Sequence, residues 1–401
     1  MTERALGEFV ELQRGNTYKS ALLGLPGPTL LGLGSIQRNG GFRGENLKTY
    51  GGETDPRMLL VPGDVYVSLK DVTQSADLLG AVARVPREVE LGRLTQDTVK
   101  LTFKNGALAN LIFWVLRSPQ YRSFCRSYAT GTTNLGLPRE DFLAYPIPNP
   151  TPARLQLVTV LDALDEKIEL NLRMNETLEA MSQTIFKDWF VYFGPTRAKI
   201  EGRASYLPSE IWSLFPSALN AEGMPEGWST KRVDDILELV YGKALRAADR
   251  VDGPTPVYGS GGIIGYHDKA LVEGPSVIVG RKGTVGALYW EDRPFFPIDT
   301  VFYVKPKAPL TFCYYHLQTL GLAAMNTDAA VPGLNRNNVC RLAVPWSTSE
   351  VRYQFDQLIG PLRRRQRANT EEIEALTALR DLLLSRLVSG EIRVSDAASI
   401  Y

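Results

Sequence analysis

The sequence predicts an α+β fold in two similar halves. Each half is a domain of short strands followed by a long helix, and the two helices pack as an antiparallel coiled coil related by a pseudo-twofold axis. Three observations carry this expectation. First, Ala153 to Phe193 contains neither proline nor glycine and follows a Pro-rich entry at Pro146, Pro148, Pro150 and Pro152, the conditions a helix needs to run long. Second, the chain closes on another helical stretch, about Ser349 to Ser389. Third, short segments of the first half recur in the second half in the same order.

The first long stretch sets the frame. Steps of four and three pick out Leu157, Leu161, Leu164, Ile168, Asn171, Asn175, Leu178, Ser182, Ile185 and Trp189. Seven of these ten are apolar, which makes a heptad seam with a polar middle. About forty residues at ~1.5 Å each give a rod of roughly 60 Å, too long to bury its stripe against itself. Its expected partner is the C-terminal helix. The pairing residues are Leu161, Leu164, Ile168, Leu178, Ile185 and Trp189 on one side, and Leu362, Leu376, Leu383 and Leu387 on the other.

In chain order, residues 1–150 form the first domain. Glycine and proline punctuation is dense, strand-like runs cover Leu59–Val61, Val65–Leu69, Leu79–Val85 and Val99–Phe103, and a helix is predicted from Ala107 to Tyr128. Residues 151–195 are the first long helix, stopped by Gly194-Pro195. Residues 196–224 read as a linker. Residues 225–346, opening at Pro225-Glu226-Gly227-Trp228, form the second α+β domain, and 347–401 hold the second helix and a tail.

The repeat is visible as matched segments about 200 residues apart. Asp97-Thr98-Val99 corresponds to Asp299-Thr300-Val301. Leu137, Arg139 and Phe142 correspond to Leu334, Arg336 and Val339, and Leu178, Met181, Ile185 and Phe186 to Leu376, Leu379, Leu383 and Leu384. Asn171 and Asn369 fall at equivalent places. Buried asparagines in a seam fix register at a cost in stability; alternatively, these two mark a hydrated waist.

Composition narrows the function. At 401 residues the chain exceeds a single ordinary core. The three widely spaced cysteines fit a reducing cytosol rather than a disulfide framework. Two histidines and scattered cysteines cannot make a closed zinc site, so no metal is expected. MTERALGEFV is not a signal peptide and no apolar run reaches membrane length; a cytoplasmic protein that uses no membrane is expected. With a net charge of +1, any nucleic-acid surface must concentrate its cations locally.

Three stretches carry a family resemblance: Asp165-Glu166-Lys167-Ile168-Glu169-Leu170-Asn171 leading to Ile185-Phe186-Lys187-Asp188-Trp189-Phe190; Leu383 through Ser389-Gly390-Glu391-Ile392; and the run Val257-Tyr258-Gly259-Ser260-Gly261-Gly262-Ile263-Ile264-Gly265-Tyr266 with Gly280 to Gly286. In these the chain resembles the DNA-specificity subunit of type I restriction–modification enzymes over nearly its whole length. The resemblance implies two target-recognition domains, each reading one half of a split double-stranded DNA target. It also implies spacer helices that set the gap and dock two methyltransferase subunits and restriction subunits, with no catalytic residues, cofactor or metal of the chain's own. Adenine methylation by the partners is likewise implied. The first domain lacks the glycine-rich run and has Leu31–Gly41 instead.

Candidate DNA-binding residues follow from chemistry and from the resemblance. Arg117, Arg122 and Arg126 would form a basic helix face against the backbone, or else a solvated face over a core. Thr132, Thr133, Asn134 and Arg139 in one turn, and Asn335, Arg336 and Asn337 in its counterpart, offer Asn and Arg groups able to pair with base edges. Arg281, Lys282 and Thr284 lie on a turn suited to phosphate, and Tyr258, Ser260 and Tyr266 lie in the glycine-rich hairpin. Asp165-Glu166-Lys167 resembles the tail of a nuclease motif but reads as a solvated helix face. A rival reading stays open, in which the chain is a structural adaptor whose α+β domains bind protein or glycan rather than DNA.

Overall fold

The computed structural model describes residues 3–73, 75–132, 134–325 and 333–389. The chain forms two compact units, one of residues up to Glu169 together with the segment from Ile373, the other Leu170–Glu372.

In the first unit, β1 (Arg4–Ala5) leads to β2 (Val10–Arg14), β3 (Thr29–Leu31), β4 (Leu59–Leu60), β5 (Val65–Ser68), β6 (Lys70–Asp71), β7 (Val82–Arg84), β8 (Gly92–Leu94) and β9 (Thr98–Phe103). An antiparallel four-stranded sheet has the order β2-β9-β5-β7, and a smaller sheet the order β3-β8-β4. Alternation along these strands sends Val65, Val67, Val99 and Leu101 into one apolar core, while Tyr66 faces a second core with Leu31, Leu60 and Leu94. Two helices cover the first core: α1 (Ala109–Val115) and α2 (Pro119–Ser127). The single helix expected over 107–128 is therefore broken. Pro119 has no N–H to continue the ladder and begins α2, where the Ser118 hydroxyl caps it by accepting from Tyr121 N at 3.2 Å. The domain ends with β10 (Leu135–Gly136), α3 (Arg139–Ala144) and β11 (Pro146–Ile147), and β11 pairs with β1.

Helix α4 (Pro152–Phe190) follows. Its end differs from a plain stop. Phe193 takes a left-handed conformation, φ 54°, and α5 (Gly194–Ile200) starts immediately, followed by α6 (Ser209–Trp212). Phe215 and Met224, in the stretch read from sequence as a linker, belong to the second unit's apolar core.

The second unit contains β12 (Ser229–Arg232), α7 (Val233–Ile236), β13 (Leu237–Tyr241), β14 (Thr255–Gly259), β15 (Gly262–His267), β16 (Ser276–Gly280), β17 (Leu288–Glu291), β18 (Phe296–Pro297) and β19 (Val301–Pro306). Helices α8 (Leu310–Thr319) and α9 (Arg336–Cys340), strand β20 (Ala343–Trp346) and the part of helix α10 (Ser349–Ser389) up to Glu372 complete it. Its four-stranded sheet, β13-β19-β16-β17, repeats the order of the first. β12 pairs with β20 as β1 does with β11. The small sheets share a parallel pair, β3·β8 and β14·β18. They differ in the third strand: β4 lies beside β8, whereas β15 lies beside β14. The halves are thus one topology used twice, diverging in the small sheet.

Each unit contains a stretch of both long helices, and in each the two run antiparallel. In the first, Arg154 Nε donates to the Leu387 carbonyl at 3.1 Å, and Asp165 pairs with Arg380 at 2.9 Å. In the second, Asn171 Nδ2 donates to Glu372 at 2.9 Å, Asn369 Nδ2 to Asn175 Oδ1 at 2.9 Å, and Arg363 pairs with Glu179 at 3.0 Å. Leu161, Ile168, Trp189 and Leu387 are buried; Leu164, Leu178, Ile185, Leu362, Leu376 and Leu383 are half-buried. Asn171 and Asn369 are fully buried and each donates across the seam. That geometry favours the register reading of these asparagines over a hydrated waist. Helix α10 continues through Pro361, whose side is exposed.

Candidate nucleic-acid interface

In the second unit three loops chosen separately from the sequence come together. Leu334 N donates to the Arg281 carbonyl at 2.8 Å and Lys282 bridges to Gly333, so the turn after β16 lies beside the entry to α9. The β14–β15 hairpin tip closes the cluster: a side chain on Gly283 would approach Ser260 Oγ at 3.0 Å. Gly283 has φ +81°, which suits glycine. The Arg281 guanidinium stacks over Tyr241 at 4.9 Å, and the Arg336 guanidinium lies 5.5 Å from the same ring. Lys282, Thr284 and Asn337 are exposed around them. Next to the tip, β15 is an edge strand that leaves Ile263, Ile264 and Tyr266 exposed.

The first unit repeats the framework. Leu137 N donates to the Leu69 carbonyl at 2.9 Å, the counterpart of Leu334 to Arg281, and β10 pairs with β6. Asp71 is fully buried; its carboxylate accepts from Thr73 N and Leu78 N, each at 2.7 Å, and so shapes the loop beyond Lys70. Thr132 and Asn134 lie exposed on the facing turn, Arg139 is exposed at the start of α3, and Thr133 lies outside the described residues. A hairpin turn over Gln37–Gly41 adjoins: Gln37 N donates to Gly41 O at 2.9 Å and Asn39 N to Asp77 O at 2.8 Å. Gln37, Arg38, Asn39, Lys70 and Tyr241 were missed by the sequence reading. The Asn39-Gly40 dipeptide, a strong hairpin signal, was present to find the first group.

Several candidates are corrected by burial. The basic face expected from Arg117, Arg122 and Arg126 does not form. The Arg122 guanidinium is buried and donates to three backbone carbonyls, of Leu79, Ala76 and Asp77, tying the 76–79 loop to α2. The Arg117 side chain is only 9% exposed, pairs with Asp165 at 2.8 Å and stacks over Trp114. Burial lowers the pKa of both guanidinium groups from the usual arginine value. Arg126 alone is exposed, donating to Asn39 Oδ1 at 3.1 Å. Arg122 belongs to α2, which starts afresh at Pro119 with Ser118 as its cap, and Arg117 lies in the short link before it. Tyr258 is also internal. Its hydroxyl donates to the buried Glu291 at 2.9 Å, and burial followed by that negative neighbour raises its pKa. Tyr258 anchors the hairpin and does not project from it. Asn335 spends its side-chain oxygen capping α9, accepting from Asn337 N at 2.9 Å. Asp165, read from sequence as part of a solvated face, is half-buried and serves as an interhelical partner.

Among the described residues no group of three or more His, Cys, Asp or Glu could hold a metal ion. None of the described helices is long and apolar enough to cross a membrane.

Fold and surface together define a class: a duplicated α+β protein whose halves present polar loop clusters on a shared framework, each half fastened to an antiparallel helix pair. The comparisons place it further. Residues 225–338 match the Methylase_S family model, the type I restriction modification DNA specificity domain. The chain is 24% identical to the type I restriction enzyme HindI specificity subunit of Haemophilus influenzae, over 59% of this chain and 66% of that protein. It is 22% identical to the MjaIX specificity subunit of Methanocaldococcus jannaschii, over 73% and 71%. The chain thus spans about two thirds of the length of the HindI subunit, 66%. Its fold is similar to that of the type I restriction–modification S subunit from M. genitalium, with a TM-score of 0.58, 17% identity, and 96% and 95% of the two chains covered. By these matches residues 225–338 carry the type I restriction modification DNA specificity domain, and the chain is similar over most of its length to type I specificity subunits.

Proposed function

We propose that this protein is the DNA-reading subunit of a type I restriction–modification assembly. Domains 1–150 and 225–346 each read one half of a bipartite double-stranded target. The spacer helices, 151–195 and 347–401, hold the two readers apart and dock two methyltransferase subunits and restriction subunits. The chain needs no catalytic residue, cofactor or metal of its own, because methyl transfer and cleavage are carried out by those partners, in the cytoplasm where the DNA is.

The observation that supports this reading most is the repeated framework. In both halves the loop after the central strand is hydrogen-bonded to the turn before a short helix, through Leu137 to Leu69 and Leu334 to Arg281. Around that bond each half presents its own exposed polar set, Arg126, Thr132, Asn134 and Arg139 in one and Lys282, Thr284 and Asn337 in the other. A constant frame with different polar tips is what two readers of different sequences require, since phosphate contacts position and base contacts specify.

Mapping methylated adenines in host DNA with and without the gene tests it. A two-part motif that disappears with the gene is the expected result. Replacing residues 225–346 by another such domain should change one half of that motif only; a target unchanged in both halves would refute the proposal.

A further inference from the structure

The two small sheets, different in strand order and in sequence, bring their hairpin tips to the same place. In the second unit the tip at Ser260 rests on β17, where Tyr289 donates its hydroxyl to the Ser260 carbonyl at 3.2 Å, and against Gly283 in the loop after β16. In the first unit Gly41 N donates to the carbonyl of Val82 on β7 at 2.8 Å, and Asn39 N to Asp77 in the loop after β5 at 2.8 Å. β7 and β17 hold the same edge position in their four-stranded sheets, and β5 and β16 the same inner position. The tip Gln37–Gly41 is therefore the positional counterpart of the glycine-rich tip, with which it shares only a Gly-Gly pair, Gly40-Gly41 against Gly261-Gly262.

Its chemistry differs from its counterpart's. The glycine-rich tip offers backbone and one hydroxyl. The Gln37–Gly41 tip exposes Gln37, Arg38 and Asn39 side by side. Arg38 has no ion-pair partner among the described residues. The backbone is held in place from beneath: a side chain on Gly40, φ +108°, would meet the Val82 carbonyl at 3.2 Å. Asn39, exposed and at φ 63°, accepts from Arg126 through its side-chain oxygen, a bond that leaves its NH2 group available as a donor. Arg, Gln and Asn are the side chains whose paired donors and acceptors match guanine and adenine edges in the major groove. They stand here on a short, tethered turn, and a reader held at its base loses less freedom on binding.

We propose that Gln37–Gly41 is the base-reading element of the first domain, with Arg38 as a specificity-determining residue directed to a purine edge and Arg126 as the positioning residue that orients Asn39. This rests on the DNA-reading function proposed above and assigns part of it to particular atoms.

The test uses the full chain co-expressed with its methyltransferase subunits. Methylation and binding are measured on the mapped target and on duplexes changed one base pair at a time in each half. Arg38→Ala should lose discrimination by roughly ten-fold or more at one or two adjacent positions of one half, leaving the other half read as before. Gln37→Ala should relax a neighbouring position in that same half. Arg126→Ala should blur the position read through Asn39, and Arg126→Lys should restore it in part. If Arg38→Ala weakens every duplex equally, Arg38 contacts phosphate and the assignment is wrong. If Arg38→Ala and Gln37→Ala both leave all positions discriminated as in the unaltered protein, the tip does not read bases. An unaltered protein without sequence selectivity would instead refute the DNA-reading function itself, so the two failures are separable.

Discussion

Asp165 and Arg380 meet at 2.9 Å, and the second oxygen of the same carboxylate takes Arg117 at 2.8 Å. One side chain on α4 thereby joins α10 to the first domain. Arg117 and Arg380 are mostly buried, with side chains 9% and 16% exposed, while Asp165 keeps 35% of its exposure. Asp165→Asn leaves the desolvated Arg117 without its counter-charge beside Arg380, which keeps only the exposed Asp381 at 2.9 Å. It should destabilise the first unit by about 2–3 kcal/mol, moderated by the carboxylate's residual hydration. Chemical denaturation measures this, and Arg117→Met placed on top of Asp165→Asn should recover part of the loss.

The three arginines once grouped on one helix face separate by experiment. Arg122→Ala strips three backbone carbonyls of their donor and should cost about 2–4 kcal/mol in unfolding free energy. Arg126→Ala, on an exposed side chain, should change stability by less than about 0.5 kcal/mol and register instead in DNA recognition. Equal destabilisation by both changes would contradict the placement of Arg122.

His316 supplies a pH signature. It is buried among Phe186, Phe312 and Phe190, with ring centroids at 4.8, 4.3 and 6.4 Å, and desolvation lowers its pKa to about 3, opposed by a hydrogen bond that the ring donates to the Pro345 carbonyl. The folded pKa lies below the unfolded value of about 6.5, so the unfolded chain takes up the proton first. The stability tied to neutral His316 is complete above about pH 6.5 and is lost as pH falls from there toward 3, with a slope approaching ~1.4 kcal/mol per pH unit. Denaturation midpoints measured between pH 7 and 4.5 should fall less steeply in His316→Phe, to about the extent of one titrating group.

Lys282 tests the backbone side of the interface. It is exposed, and its backbone N–H already holds the turn by donating to Thr300 O at 3.1 Å. Lys282→Ala should keep the fold within about 0.5 kcal/mol. It should weaken binding to all duplexes alike and lower the salt-dependence slope by about one counterion. Loss confined to one base position would make Lys282 a base reader instead.

Much of the architecture was legible. The Pro- and Gly-free stretch gave α4, the repeat predicted one topology in both halves, and the α+β class followed from short punctuated strands. What escaped had local causes. Pro119 splits a periodic apolar run that a periodicity count reads straight through. Pro361 lies inside α10 without ending it, because the surrounding seam residues Phe355, Ile359 and Leu362 pack in the second core. At the candidate interface, residue type was a poor guide to exposure. Arg122 and Arg117 have the chemistry of phosphate contacts and are spent inside the fold, and Tyr258 is held by Glu291. The Gln37–Gly41 tip escaped repeat matching because the halves share there only a Gly-Gly pair, too short a signal to stand out in a glycine-rich chain.

The third strand of the small sheet, added beside β8 in one half and beside β14 in the other, also bears on how such a protein could change its target. The large sheet and the strand pair at the domain's ends are committed to the helices; the small sheet has only its tip to deliver. If the proposed function holds, grafting that subsheet alone, well under a whole domain, would re-aim the molecule toward new sites while leaving the helix pair untouched. On the proposed reading, the smallest inheritable unit of recognition would be a hairpin and its neighbour, a piece short enough to be exchanged by recombination inside a single gene.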